Sequence, residues 1–244
     1  MPKNKRIISI LLFSLAAVAL AIGGSIMFVT SSAGAEFLSR YPGFVAQPHD
    51  GPTGFPAWLG WHHFLNFFLL ALIIRTGIKV RTDQRPEGFW TPKPRKNRKT
   101  GRTTTGKKIS LNLWFHLLLD VLWLVNGIIF VVLLFATGRW PRIVPTSWEI
   151  FPNAVSAAVQ YLSFSFPTID AWANYNALQQ LSYFVVVFIA APVAALTGWR
   201  TSELWPKNNQ ALSKAFPMQL ARAVHWPTMI FFVAFIIVHV LLVL

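Results

Sequence analysis

Residues 221–244 read ARAVHWPTMIFFVAFIIVHVLLVL. Arg222, His225 and His239 are the only ionisable side chains in that stretch. A hydrocarbon core about 30 Å thick is crossed by roughly 20 apolar residues in a helix, so the segment predicts a transmembrane helix. His225 and His239 are 14 residues apart. Helical rise and twist convert that spacing to about 21 Å along the axis and only ~40° around it. Both histidines therefore face one side of the helix, one near each end of the span. A single metal ion cannot reach both, whereas two sites stacked through a bilayer can.

Four other runs have the same character: Ile7–Val29, Trp58–Val80, Leu111–Ala136 and Ala177–Leu196. The third is broken only by His116, Asp120 and Asn126. Polar groups inside such runs are costly and mark functional positions. The whole chain is 54% hydrophobic and 12% charged, half the charged share of a soluble domain, which is about 25%. Lipid is therefore the expected main solvent. The +14 net charge would suit nucleic acid, but the basic residues cluster in short segments between the apolar runs, and no nucleic-acid partner is expected. Cysteine is absent. That excludes disulfides, iron–sulfur clusters, thiolate zinc sites and covalently attached haem.

Basic residues orient the spans. Lys3, Lys5 and Arg6 precede the first run, twelve Lys and Arg lie between Arg75 and Lys108, and four lie between Arg200 and Arg222. The opposite loops hold only Arg40, Arg139 and Arg142. The amino terminus and the 81–110 loop are thus expected on the cytoplasmic side of a prokaryotic inner membrane. Ala33-Gly34-Ala35 resembles a signal-peptidase site, yet the preceding run of 23 residues exceeds the 7–15 of a signal core. An uncleaved anchor is expected. Residues 92–100 are Pro-rich and basic without apolar periodicity, and predict an extended or disordered loop against anionic lipid. Residues 147–164 predict a short amphipathic helix carrying Trp148, Ile150, Phe151, Ala154, Val155, Ala158 and Leu162. Trp140, Trp148 and Trp172 suit an aromatic belt at the interface.

Five of six histidines fall in the spans; His49 lies in a Gly/Pro-rich loop and reads as solvated. His116 is about five residues into the third run and His225 about four into the fifth, both from the cytoplasmic side. His62 and His63 begin the second run at the depth where His239 nears the end of the fifth. The depths match pairwise: His116 with His225, and one of His62 or His63 with His239. Two-histidine sites suit haem iron, whereas zinc takes three or four ligands. The plainer alternative is interhelical hydrogen bonding.

Asp120 lies one turn from His116 on nearly the same face, suited to a proton or quinone role or to a ligand imidazole. Arg75 and Arg222 near cytoplasmic helix ends suit haem propionates, or simply snorkel. Asn66, Asn126, Asn176, Gln179 and Gln180 suit interhelical bonds or a quinone. The Thr-Gly pairs at 76–77, 137–138 and 197–198 each close an apolar run and read as structural, at helix ends or close contacts.

Residues 58–244 resemble the prokaryotic cytochrome b561 family, which forms membrane subunits of nickel–iron hydrogenases, formate dehydrogenases and thiosulfate reductases. The resemblance rests on His63-Phe64-Leu65-Asn66 with Ile74-Arg75-Thr76-Gly77, then on His116…Trp123…Asn126-Gly127. It continues through Thr137-Gly138-Arg139-Trp140…Pro145 and Tyr175-Asn176-Ala177-Leu178-Gln179…Tyr183, and ends on Pro192…Leu196-Thr197-Gly198 and Arg222-x-x-His225…His239. It implies four core helices, two non-covalent b-type haems and electron exchange between a quinone pool and a catalytic oxidoreductase subunit of molybdoenzyme or hydrogenase type. It also matches His63, rather than His62, to the family's ligand. The chain departs from the pattern in its additional first helix and its long basic loop.

The expected fold is an all-α integral membrane protein, a four-helix di-haem bundle plus one N-terminal transmembrane helix. Residues 1–57 form an anchor and outer loop, and residues 58–244 a cytochrome b domain with its basic loop at 81–110. The expected role is electron transfer within a larger oxidoreductase rather than complete catalysis. A self-contained reductase, and a haem-free transporter or assembly factor with structural or metal-handling histidines, are the rival readings.

Overall fold

The computed structural model describes residues 3–46, 54–96, 101, 103–166, 175–202, 204–206 and 208–243. His49, Trp172, the loop tip at 97–100 and 102, and Leu244 lie outside them. The chain is an all-α integral membrane protein. Among the described residues, five helices are long and apolar enough to span a bilayer: Lys5–Val29, Ala57–Thr82, Leu111–Ala136, Ala177–Thr201 and Met218–Leu242. Their outward faces carry large apolar side chains such as Phe13, Leu20 and Ile128. Water would not tolerate so much contiguous apolar surface; acyl chains do.

In chain order the helices are α1 (Lys3–Val29), α2 (Ser32–Arg40), α3 (Ala57–Thr82), α4 (Leu111–Ala136), α5 (Ile150–Leu162), α6 (Ala177–Phe184), α7 (Ala191–Thr201), α8 (Gln210–Ala215) and α9 (Met218–Val243). A π-helical stretch, Val185–Ala190, joins α6 to α7. It ends two residues before Pro192, which has no N–H for the carbonyl four residues earlier. The wider π turn absorbs that defect.

The basic loop is more ordered than expected. Four short strands, β1 (Phe89–Trp90), β2 (Arg95–Lys96), β3 (Thr103–Thr104) and β4 (Ile109–Ser110), pair as β1 with β4 and β2 with β3, both antiparallel. Phe89 faces Ser110 and Lys96 faces Thr103 in a single unbroken register, so the segment is one hairpin. Pro92 and Pro94 interrupt its ladder because proline donates no hydrogen bond. The ammonium of Lys108 sits 4.3 Å from the Phe89 ring centre.

Two compact units form: Met1–Gly54 with Phe135–Phe188, and Phe55–Leu134 with Ile189–Leu244. In the first, α5 packs on α6 and α1, and Ile150, Ala154 and Ala177 form a buried cluster closed by Val45, Leu178 and Leu181. The expected amphipathic helix is present as α5. Its buried face is Ile150, Asn153, Ala154, Ser156 and Ala157, while Trp148, Phe151 and Val155 are exposed. Polar side chains won the inward positions because the adjoining loop offers backbone partners. Gly43, at φ +99°, donates its N–H to Asn153 Oδ1 (3.0 Å) and its carbonyl accepts from Ala177 N (2.9 Å). Asn153 Nδ2 donates to the Glu149 carbonyl at 2.9 Å. Asn153→Ala strands the buried Gly43 N–H, and unfolding in detergent is expected to become easier by about 2 kcal/mol; an unchanged midpoint would refute this.

In the second unit α7 packs on α9, α3 meets α4 through the Trp123 indole N–H and Asn66 Oδ1 (2.6 Å), and Trp123 packs edge-on against Phe232 of α9. The Arg81 guanidinium lies 4.0 Å over the Trp226 ring. Asn112 Nδ2 donates to Asp83 Oδ2 at 2.8 Å, tying the end of α3 to the start of α4.

Candidate functional site

All five span histidines belong to the second unit. The two adjacent ones point to different neighbours, as the 100° step of a helix requires. His62 Nδ1 hydrogen-bonds Asn126 Oδ1 on α4 (2.7 Å), and its ring packs edge-on against Trp58 and Phe130. His63 faces α9 instead. Its ring centre is 5.9 Å from that of His239, which stacks on Phe235 one turn earlier.

At the other end of α9, His116 and His225 lie near enough to interact electrostatically, and Asp120 acts on His225 in the same way. The Asp120 carboxylate stands 3.8 Å from His116 Nε2, too far for a hydrogen bond. No hydrogen bond among the described residues uses Nε2 of His116 or of His225. Their Nδ1 atoms are engaged: His116 Nδ1 with Thr76 Oγ1 (3.1 Å) and the Ile73 carbonyl (3.2 Å), His225 Nδ1 with Thr197 Oγ1 (2.9 Å).

The Thr-Gly pairs divide between the two roles expected of them, helix end and close contact. Thr137-Gly138 does end a helix, with Gly138 left-handed at φ +66°. The other two lie inside helices: α3 runs six residues past Thr76, and α7 four past Thr197. A Cβ on Gly77 would come within 3.1 Å of His116 Cε1, and one on Gly198 within 3.5 Å of His225 Cε1. The sequence signal for this role was the recurrence of Thr-Gly at the ends of two spans that each precede a histidine-bearing span.

The amides named from sequence are spent inside the protein. Asn66 and Asn126 bind Trp123 and His62 as above. Asn176 and Gln179 form a reciprocal capping box at the start of α6, and Gln180 Nε2 donates to the Pro141 carbonyl at 2.6 Å. Arg75 and Arg222 are exposed, with no hydrogen bond or ion pair to another described residue. No cluster of three or more His, Asp or Glu suited to a metal ion occurs among the described residues. The histidines come in twos.

A multi-pass helical membrane protein with paired histidines in its spans is thus defined on its own geometry. Residues 54–244 match the family described as Prokaryotic cytochrome b561, and the chain belongs to that family of transmembrane b-type cytochromes, which bind haem and transfer electrons. No curated relative and no solved structure matches it. Family membership favours the cytochrome over the haem-free transporter.

Proposed function

We propose that the chain holds two b-type haems, one between His63 and His239 and one between His116 and His225, and passes electrons between a quinone and a partner oxidoreductase subunit. The observation that carries this reading is the pairing of four histidines at the two ends of α9. A haem iron held between His63 and His239, with bonds of about 2 Å, would leave their ring centres roughly 6 Å apart. The 5.9 Å between His63 and His239 fits. His62, engaged by Asn126, is a packing residue in this reading. The open Nε2 atoms of His116 and His225 fit the same donor chemistry, since a neutral imidazole nitrogen is the usual b-haem ligand. When bound, each haem supplies an iron that takes and gives one electron at a time.

The chain's own groups supply the rest. Exposed Arg75 and Arg222 pair with propionates. Asp120, beside His116 and His225 (the inner pair, with His63 and His239 the outer one), takes protons released by quinol oxidation. Residues 58–244 are the cytochrome domain and residues 1–57 its anchor, in keeping with a family match that begins at residue 54. The basic-residue bias supports a cytoplasmic amino terminus and a cytoplasmic 81–110 loop. The partner, a molybdoenzyme or hydrogenase type of subunit, rests on the resemblance of the motifs to membrane subunits of such enzymes.

The test is a reduced-minus-oxidised spectrum of the purified full-length protein with haem quantified per chain. Two b-type equivalents are expected. One equivalent would refute the two-site arrangement, and none would refute the reading altogether.

A further inference from the structure

The inner histidines are seated by a repeated device. Two helical hairpins return at the same side: α3 through the β-hairpin to α4, and α7 through α8 to α9. In each, a Thr-Gly pair near the end of the first helix meets a histidine near the start of the second. Thr76 Oγ1 donates to its own helix, at 2.9 Å from the Leu72 carbonyl and 3.0 Å from that of Ile73. Thr197 Oγ1 does the same toward Val193 (2.6 Å) and Ala194 (3.1 Å). A hydroxyl has one hydrogen. With it committed to a carbonyl, the threonine oxygen can only accept from the imidazole. The Ile73 carbonyl on His116 Nδ1 can only accept as well. Nδ1 therefore carries the proton in both rings, and Nε2 presents its lone pair.

We propose that Thr76-Gly77 and Thr197-Gly198 are ligand seats: each threonine fixes the tautomer and direction of the facing histidine, and each glycine clears the space its ring occupies. The proposal rests on the di-haem reading above and names what sets the chemistry of its inner site. An acceptor on Nδ1–H makes a ligand imidazole more basic, which favours ferric over ferrous iron. Removing that acceptor raises the midpoint potential of the inner haem. The outer pair touches neither threonine and serves as an internal control.

The experiment is a redox titration of the purified full-length protein, wild type against Thr76→Val/Thr197→Val and Thr76→Ser/Thr197→Ser. Outer-shell partners of metal ligands carry effects of about 10–100-fold, and the Ile73 carbonyl, which still accepts from His116, keeps this one at the lower end. A tenfold shift of the inner haem toward ferrous is expected in the valine variant, about 59 mV upward for a one-electron couple. The outer haem stays put, and serine restores the wild-type value. Loss of one haem with valine but not with serine would support the seat equally. Two haems at unmoved potentials in the valine variant, or loss of haem in both variants, would overturn it. A wild type without two haems would instead overturn the di-haem reading, and shows before any variant is made. Gly77→Ala is expected to perturb the inner haem's low-spin signal more than Gly198→Ala, because its Cβ meets the ring at 3.1 Å rather than 3.5 Å. The reverse order would overturn the glycine role.

Discussion

His225→Ala is expected to yield a protein with one b-type haem equivalent where the wild type has two. The substitution removes one of the two histidines that would hold the haem at the proposed inner site and leaves His116 alone there. The outer site survives because His239 is some 21 Å away along α9, and sites separated by more than about 10 Å with no shared partner behave independently. His239→Ala and His63→Ala give the reciprocal result, losing the outer haem and keeping the inner. His62→Ala keeps both, since its ring is bound to Asn126 and packed among aromatics. It costs about 1 kcal/mol for the lost hydrogen bond. Haem per chain and the amplitude of the reduced-minus-oxidised spectrum read all four variants. A His62 variant that loses a haem while the His63 variant keeps two would reverse the assignment.

Gly34→Ala is expected to be the most destabilising small substitution in the first unit. The Phe28 carbonyl at the end of α1 accepts from Ser31 N (3.0 Å) and from Ser31 Oγ (2.7 Å), while Gly34 N donates to Ser31 Oγ at 3.0 Å. A Cβ on Gly34 would lie 1.8 Å from that carbonyl oxygen. Backbone pinned by two hydrogen bonds cannot give way as a side chain would. The turn must open instead, with loss of the Ser31 cap and of the Phe28–Phe37 ring contact. A cost of about 3 kcal/mol follows, or roughly 6–12 °C in unfolding midpoint for a chain of this size. Gly24→Ala is the control. Nothing lies within 4 Å of its Cβ position, and alanine is favoured over glycine in a helix by up to about 1 kcal/mol. Equal midpoints for the two variants would show that the α1–α2 turn is not a fixed feature.

The five spans were legible because membrane helices are written in composition over some twenty residues, a signal that local detail cannot mask. The run Leu111–Ala136 coincides with α4 at both ends, and the others extend by a few residues into their polar flanks. The pairing of histidines by depth was legible too, since rise per residue is fixed once a segment is helical. The hairpin at 89–110 was not, because its strands are two residues long and carry lysine, arginine and threonine rather than alternating apolar residues. The helix α2 hid behind small residues that read equally well as a cleavage site. The inward face of α5 was not legible because its polar residues are satisfied by Gly43 and Pro42, more than 100 positions away in the chain.

The sequence by itself determined that the 221–244 stretch crosses a bilayer with a histidine toward each end of one face. It also determined that four spans accompany it and that basic residues gather in short segments between the spans. Those features follow from apolar length, helical period and charge, which are properties of the chain alone. The tertiary structure decided which way each ring turns. His63 meets His239 and His62 meets Asn126 because the rotation of α3 is set by what packs around it. Nδ1 of His116 and of His225 is the nitrogen engaged because Thr76, the Ile73 carbonyl and Thr197 lie within hydrogen-bond reach across an interface. Hydrogen bonds between helices depend on contacts that no periodicity encodes, and here they decide which nitrogen each inner histidine leaves open.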